Sequence, residues 1–192
     1  MLQSHNSETP LLAAGAELTT RTGLALFVRP VNPDDADRLA AFLASLTPED
    51  LRFRFLTPVT KPSRSLLETL VSVDHVRTED YLAFADTGNG EELIASAMLA
   101  AGPDLERAEV AIAIRPDYKQ RGVGWTLLEF VAGEAAAHGI RLLESIECGD
   151  NRTAISLERE MGFSVGPCPG DPTLTLVCKT LCPPAGETGA GR

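Results

Sequence analysis

The stretch RPDYKQRGVGWTLLEF, Arg115 to Phe130, closes a hydrophobic run, passes two glycines and three cationic side chains, and opens a helix. Upstream, AIAIRPD reads as the end of a strand. Downstream, apolar residues at 127, 128, 131 and 135 recur at helical spacing as far as His138 and Gly139. A strand, a glycine-bearing turn and a helix starting near Val123 aim several backbone N–H groups and a positive helix end at one point. Two readings are open. Either the turn needs glycine for its own backbone angles, or Gly122 and Gly124 let a phosphate approach the chain while Lys119 and Arg121 add charge. A Walker loop is excluded, because Trp125 and Thr126 follow Gly124 where lysine and a hydroxyl residue are required. A dinucleotide fingerprint would put its third glycine where Leu127 stands.

Outward from this turn, the segments DYLAFAD, GEELIASAMLAA and RAEVAIAI read as strands joined by the turn signals TGNG and AGPD, the pattern of an antiparallel meander. Before them, GLALFVRPV has strand character. Asn32 and Pro33 then open a helix over NPDDADRLAAFLASL, and TPEDLRFRF and SRSLLETLVSV make two more short helices. After the central helix, IRLLESIEC reads as a strand, NRTAISLEREM as a helix stopped by Gly162, and TLTLVCK as a last strand. The expected fold is α+β (mixed α/β): one domain with a twisted, mostly antiparallel sheet and helices on both faces. Residues 1–21 are expected to form a flexible arm, 22–181 the domain and 182–192 a flexible tail.

With 192 residues, 44% of them hydrophobic, the chain can bury one substantial core. Its 27 acidic against 17 basic residues give a net charge of −10, which argues against nucleic acid and anionic membranes as partners. No apolar run is long enough to span a bilayer and no positive leader opens the chain, so a cytoplasmic location is expected. Cys148, Cys168, Cys178 and Cys182 lack paired spacing, and His5, His75 and His138 do not cluster with them, so no metal site is expected.

Lys119-Gln120-Arg121-Gly122-Val123-Gly124 resembles the Gln/Arg-x-x-Gly-x-Gly/Ala pattern of the GNAT acetyltransferase superfamily, with lysine at the first position. DNRTAISLEREMGF, with Asn151 after a strand and Gly162-Phe163 closing the helix, is similar to that superfamily's second cofactor segment. VRPVNPDDADRLAAFLASLTPEDLRFRF and VDHVRTEDYLAFAD look like bacterial protein lysine acetyltransferases that modify acyl-CoA synthetases. The resemblance covers Thr22 to Leu181. It implies acetyl-CoA as cosubstrate, its pyrophosphate on the amides of Gln120 to Gly124 and its pantetheine arm along Ile112, Ala113 and Ile114. It also implies an amine acceptor, foremost a protein lysine; a homodimer is compatible with the reading.

Within RAEVAIAI, alternation puts Ala108, Val110, Ile112 and Ile114 on one face and Glu109, Ala111 and Ala113 on the other. Small neighbours beside Glu109 leave room for a substrate; the plain alternative is a glutamate in water. A lysine amine titrates near ~10.4, so a base must take its proton before it attacks a thioester, and Glu109 is the candidate. A backbone N–H of the same strand would polarise the thioester oxygen. Many relatives protonate the departing thiolate with a tyrosine; Tyr81 and Tyr118 are the only ones here and the role is unassigned. Trp125 reads as packing at the helix start or a cover for adenine, and Arg52 to Phe55 as packing or an acceptor groove. Three rivals remain open: a small-molecule amine acetyltransferase, a non-catalytic acyl-CoA sensor and a nicotinamide-dependent oxidoreductase.

Overall fold

A computed structural model describes residues 15–57, 62–88 and 90–181. Residues 1–14 of the expected arm and the whole expected tail, 182–192, lie outside the described residues.

Eight strands form one sheet: β1 (Ala16–Thr19), β2 (Ala25–Pro30), β3 (Thr78–Asp86), β4 (Glu91–Ala101), β5 (Arg107–Ile114), β6 (Leu142–Cys148), β7 (Ser164–Pro167) and β8 (Leu174–Thr180). Their spatial order is β1-β2-β3-β4-β5-β6-β8-β7, antiparallel at every junction except β5 with β6. The expected meander is β3, β4 and β5. Two strands went unread, one at each edge. β1 falls inside the segment taken as a flexible arm, so the ordered chain starts before Thr22, at the latest by Ala16, which pairs with Val28. β7 contains Gly166 and Pro167, which read as a turn, yet an edge strand tolerates both.

The helices are α1 (Ala36–Ser45), α2 (Pro48–Phe55), α3 (Arg64–Val71), α4 (Val123–Ala137) and α5 (Arg152–Glu160). Asn32 caps a short 3₁₀ turn, Pro33–Asp35, that leads into α1, and Thr47 with Asp50 forms a capping box for α2. The first three helices cover one face of the sheet, where Leu39, Phe42, Leu43 and Leu70 pack with Leu82 and Phe84. On the other face α4 sets Val123, Leu127, Leu128 and Val131 against Tyr81, Ile94, Leu99 and Val110. Helices thus lie on both faces, and α4, fed directly by β5, is pinned along its length.

Leu127 is fully buried beneath α4. Leu127→Ala is expected to cost about 2–5 kcal/mol, read as a lower urea midpoint at unchanged slope.

Candidate active site

β5 and β6 pair only at Arg107↔Leu142, Ala108↔Leu143 and Glu109↔Glu144, and then part. The opening is a cleft of about 440 Å³, lined by Glu109 to Ile114, by Ser145, Ile146 and Glu147, by the turn before α4, and by α5. Along β5, Arg115 N–H donates to the Ile94 carbonyl and Gly102 N–H to that of Arg107. Odd-numbered residues therefore bond to β4, and the backbones of Ile112 and Ile114 face the opening. Ala113 lies on the cleft wall as well.

At the mouth, the chain turns sharply. Gln120 has φ 60° and Gly122, which precedes α4, has φ 79°. A side chain at Gly122 would stand 3.2 Å from Thr20 Cβ, and one at Gly124 would stand 3.3 Å from Ile114 Cδ1. Among the described residues no protein acceptor takes the N–H groups of Gln120, Arg121, Gly122, Val123, Gly124 or Trp125. The turn needs glycine at 122 for its positive φ, and it leaves a row of open amides at a positive helix end. The added charge is arranged differently from expectation. The Lys119 ammonium is bonded to the buried Asp50 carboxylate on α2, and the Arg121 guanidinium lies 4.8 Å over the Tyr118 ring, off the cleft wall. Arg21, unread in the sequence, stacks 3.4 Å from the centroid of Trp125, which lines the cleft. Asn151 is on the wall too, its amide donating to Glu147 Oε2 at 2.6 Å.

Glu109 shares its face with Ala111 and Ala113, as alternation requires, and makes no hydrogen bond among the described residues. Crowding by protein raises its pKa; Arg54 opposes that shift and Glu144 adds to it. Arg54, from α2, has no acid within ion-pair distance among the described residues, and burial lowers its pKa against the fields of Asp80 and Glu109. Asp80 is wholly buried on β3; its Oδ1 accepts from Ser96 Oγ at 2.7 Å and its Oδ2 has no partner. Burial raises its pKa against Arg54 and Ser96. Of the RFRF stretch, Phe53 and Arg54 line the cleft, while Arg52 pairs with Asp150 at 2.7 Å.

The acetyltransferase (GNAT) family model matches residues 47–163, a span that contains the split strands, the amide turn and α5. The chain belongs to the GNAT acetyltransferase family. It is an N-acetyltransferase that draws on a CoA thioester. Acetyltransferase PA5475 of Pseudomonas aeruginosa is 26% identical over 154 residues, 80% of this chain and 83% of that protein. Acetyltransferase Pat of Mycolicibacterium smegmatis is 29% identical over 144 residues, 74% of this chain but 42% of Pat, so this GNAT chain spans under half of Pat's length. The crystal structure of the GNAT domain of S. lividans PAT superposes with a TM-score of 0.78 at 25% identity, covering 87% of this chain and 97% of that one.

On the face of the GNAT sheet opposite Glu109, three residues missed in the sequence meet. Ser145 Oγ donates to Glu147 Oε1 at 2.8 Å, and Glu158, from α5, lies near the same hydroxyl. Glu158 is 4% exposed and its Oε2 has no partner. Burial first, then the neighbouring Glu147, pushes its pKa up to about 8, with the Ser145 hydroxyl opposing. Glu147 is raised by burial too, with Ser145 and Asn151 opposing. The available signal was helical phase: Glu158 stands three residues after Ile155, on the buried stripe of α5.

In the unfolded chain Glu158 releases its proton near the ordinary glutamate value, whereas the folded chain keeps it to about 8. Stability is therefore lost as pH rises through that window. Glu158→Gln is expected to flatten this decline, measured as urea midpoints at about pH 5 and about pH 8.

Proposed function

We propose that the protein transfers an acetyl group from acetyl-CoA to a lysine side chain of a protein, by direct attack with Glu109 as base. The observation that carries this reading is the position of Glu109. It is the last residue of β5 paired with β6, so it stands where the cleft begins, with no hydrogen bond among the described residues to occupy its carboxylate. In this reading the pyrophosphate takes the amides of Gln120 to Gly124, with Lys119 and Arg121 contributing backbone rather than charge. The pantetheine arm follows Ile112, Ala113 and Ile114, the open peptide groups of Ile112 and Ile114 match its amides, and Asn151 borders it. A strand N–H facing the opening polarises the thioester carbonyl.

On the α2 side, Phe53 and Leu56 offer apolar walls for an aliphatic stem, and Glu49 and Glu109 offer carboxylates to a cationic head. A lysine suits that combination. The relatives named PAT and Pat support a protein as its carrier, and an acyl-CoA synthetase is the first protein to try. Because the surrounding protein raises the pKa of the solvent-exposed Glu109, the rise of kcat/KM with pH should fall above the ordinary glutamate range.

The test is transfer from labelled acetyl-CoA into a cell lysate and into a purified acyl-CoA synthetase, read by mass spectrometry and thiol release. Glu109→Gln should slow transfer about 10²-fold or more with acetyl-CoA binding retained. Gly124→Glu, which drives a side chain against Ile114 and Leu157, should abolish that binding in calorimetry. Unimpaired turnover in both variants would refute the mechanism; acetyl-CoA binding with no lysate acceptor would refute the enzyme's proposed substrate class.

A further inference from the structure

We propose that Glu158 is the acid that protonates the departing CoA thiolate. This rests on the reading that acetyl-CoA lies in the cleft with its thioester where β5 and β6 part.

Three observations place a proton donor there. First, Glu158 lines the cleft, is almost wholly buried, and has an oxygen with no partner. Second, it lies near Ser145, the first residue of β6 beyond the last pair, Glu109↔Glu144. Glu144 shares the face of Glu109, so Ser145 and Glu158 come to the same point from the opposite face. An amine that adds from the Glu109 side leaves sulfur to depart toward Glu158. Third, the surroundings favour a protonated Glu158. Ser145 has a single hydroxyl proton and gives it to Glu147, whose other oxygen accepts from Asn151. That hydroxyl proton is engaged with Glu147 and is not free to hold a charge on Glu158. Burial and the facing Glu147 on β6 favour the acid form, and no cation contributes to holding a charge.

Neither tyrosine competes. Tyr118 sits in the turn before α4 beneath Arg115 and Arg121. Tyr81 is buried edge-on to Phe130 with its hydroxyl unpartnered and its pKa raised by burial. Neither lines the cleft.

The step balances. The acceptor nitrogen bonds to the acetyl carbonyl carbon and gives its proton to Glu109. As the tetrahedral adduct collapses, the C–S bond breaks, its electron pair stays on sulfur, and the carboxyl proton of Glu158 goes to that sulfur to form CoA thiol. Glu109 later returns its proton to solvent, and Glu158 takes one back.

Two measurements on the full chain test this. The first needs no acceptor: the ¹³C carboxyl signal of Glu158, assigned by its loss in Glu158→Gln, is titrated alone, with CoA and with desulfo-CoA. Expected are a midpoint near 8 and a response to CoA that desulfo-CoA does not give. An ordinary glutamate midpoint, or equal responses to the two ligands, overturns the proposal. The second is the initial transfer rate into lysate protein at saturating acetyl-CoA. Glu158→Gln should lower it about 10²-fold or more with an unchanged KM for acetyl-CoA, and should erase the fall in rate above about pH 8. Glu158→Asp, a check should glutamine impair folding, should retain that fall. A loss seen as raised KM with the pH profile intact marks a structural role and also overturns it. Absence of transfer by the unaltered protein refutes the lysine reading alone, since the titration still decides on Glu158.

Discussion

The molecule is organised around an interruption of its own hydrogen bonding. Adjacent parallel strands normally stay about 4.8 Å apart and satisfy each other's peptide groups. β5 and β6 do so for three residue pairs and then separate. Buried peptide groups without partners are costly, so such a breach persists where the surroundings impose it and a ligand or water can fill it. Here the surroundings are helices: α4 grips β5 from one face and α2 approaches it from the other. Because β5 runs straight into α4, the open strand edge and the open amides of the turn belong to one continuous segment.

Charge is placed with equal economy. Asp35 shows how this chain treats an acid that is merely structural: burial would raise its pKa, but a two-pronged bond from Arg29 at 2.7 Å and the Asn32 N–H hold it down. Glu158 is as deeply buried and receives no such support, and Glu109 has only the opposing field of Arg54. Glu109 and Glu158 stand on opposite faces of one opening, each with its pKa raised and without an ion-pair partner among the described residues.

Much of this was legible in the residues. Period-two and period-3.6 patterns located the meander, α4 and α5, and the glycines marked the turn before α4. Alternation along RAEVAIAI put Glu109 on the correct face, because β5 is regular over its whole length. What was missed depends on contacts between segments distant in sequence. β1 and β7 are four residues each, too short for a period to emerge, and are strands because a neighbour pairs with them. Lys119 read as free charge because nothing local announces Asp50, sixty-nine positions away. Glu158 looked like one more helix acid, since its burial comes from β6 and only the phase of α5 hinted at it.

The hairpin formed by β1 and β2 touches the donor turn directly. Thr22 Oγ1 donates to the Arg121 carbonyl at 2.7 Å across ninety-nine residues of chain, and Thr20 fills the space that a side chain at Gly122 would need. Contacts of that span close late, since long loops must be ordered before such contacts form. The final shape of the turn before α4 is therefore among the last features to mature, and the central meander can form well before that turn is braced.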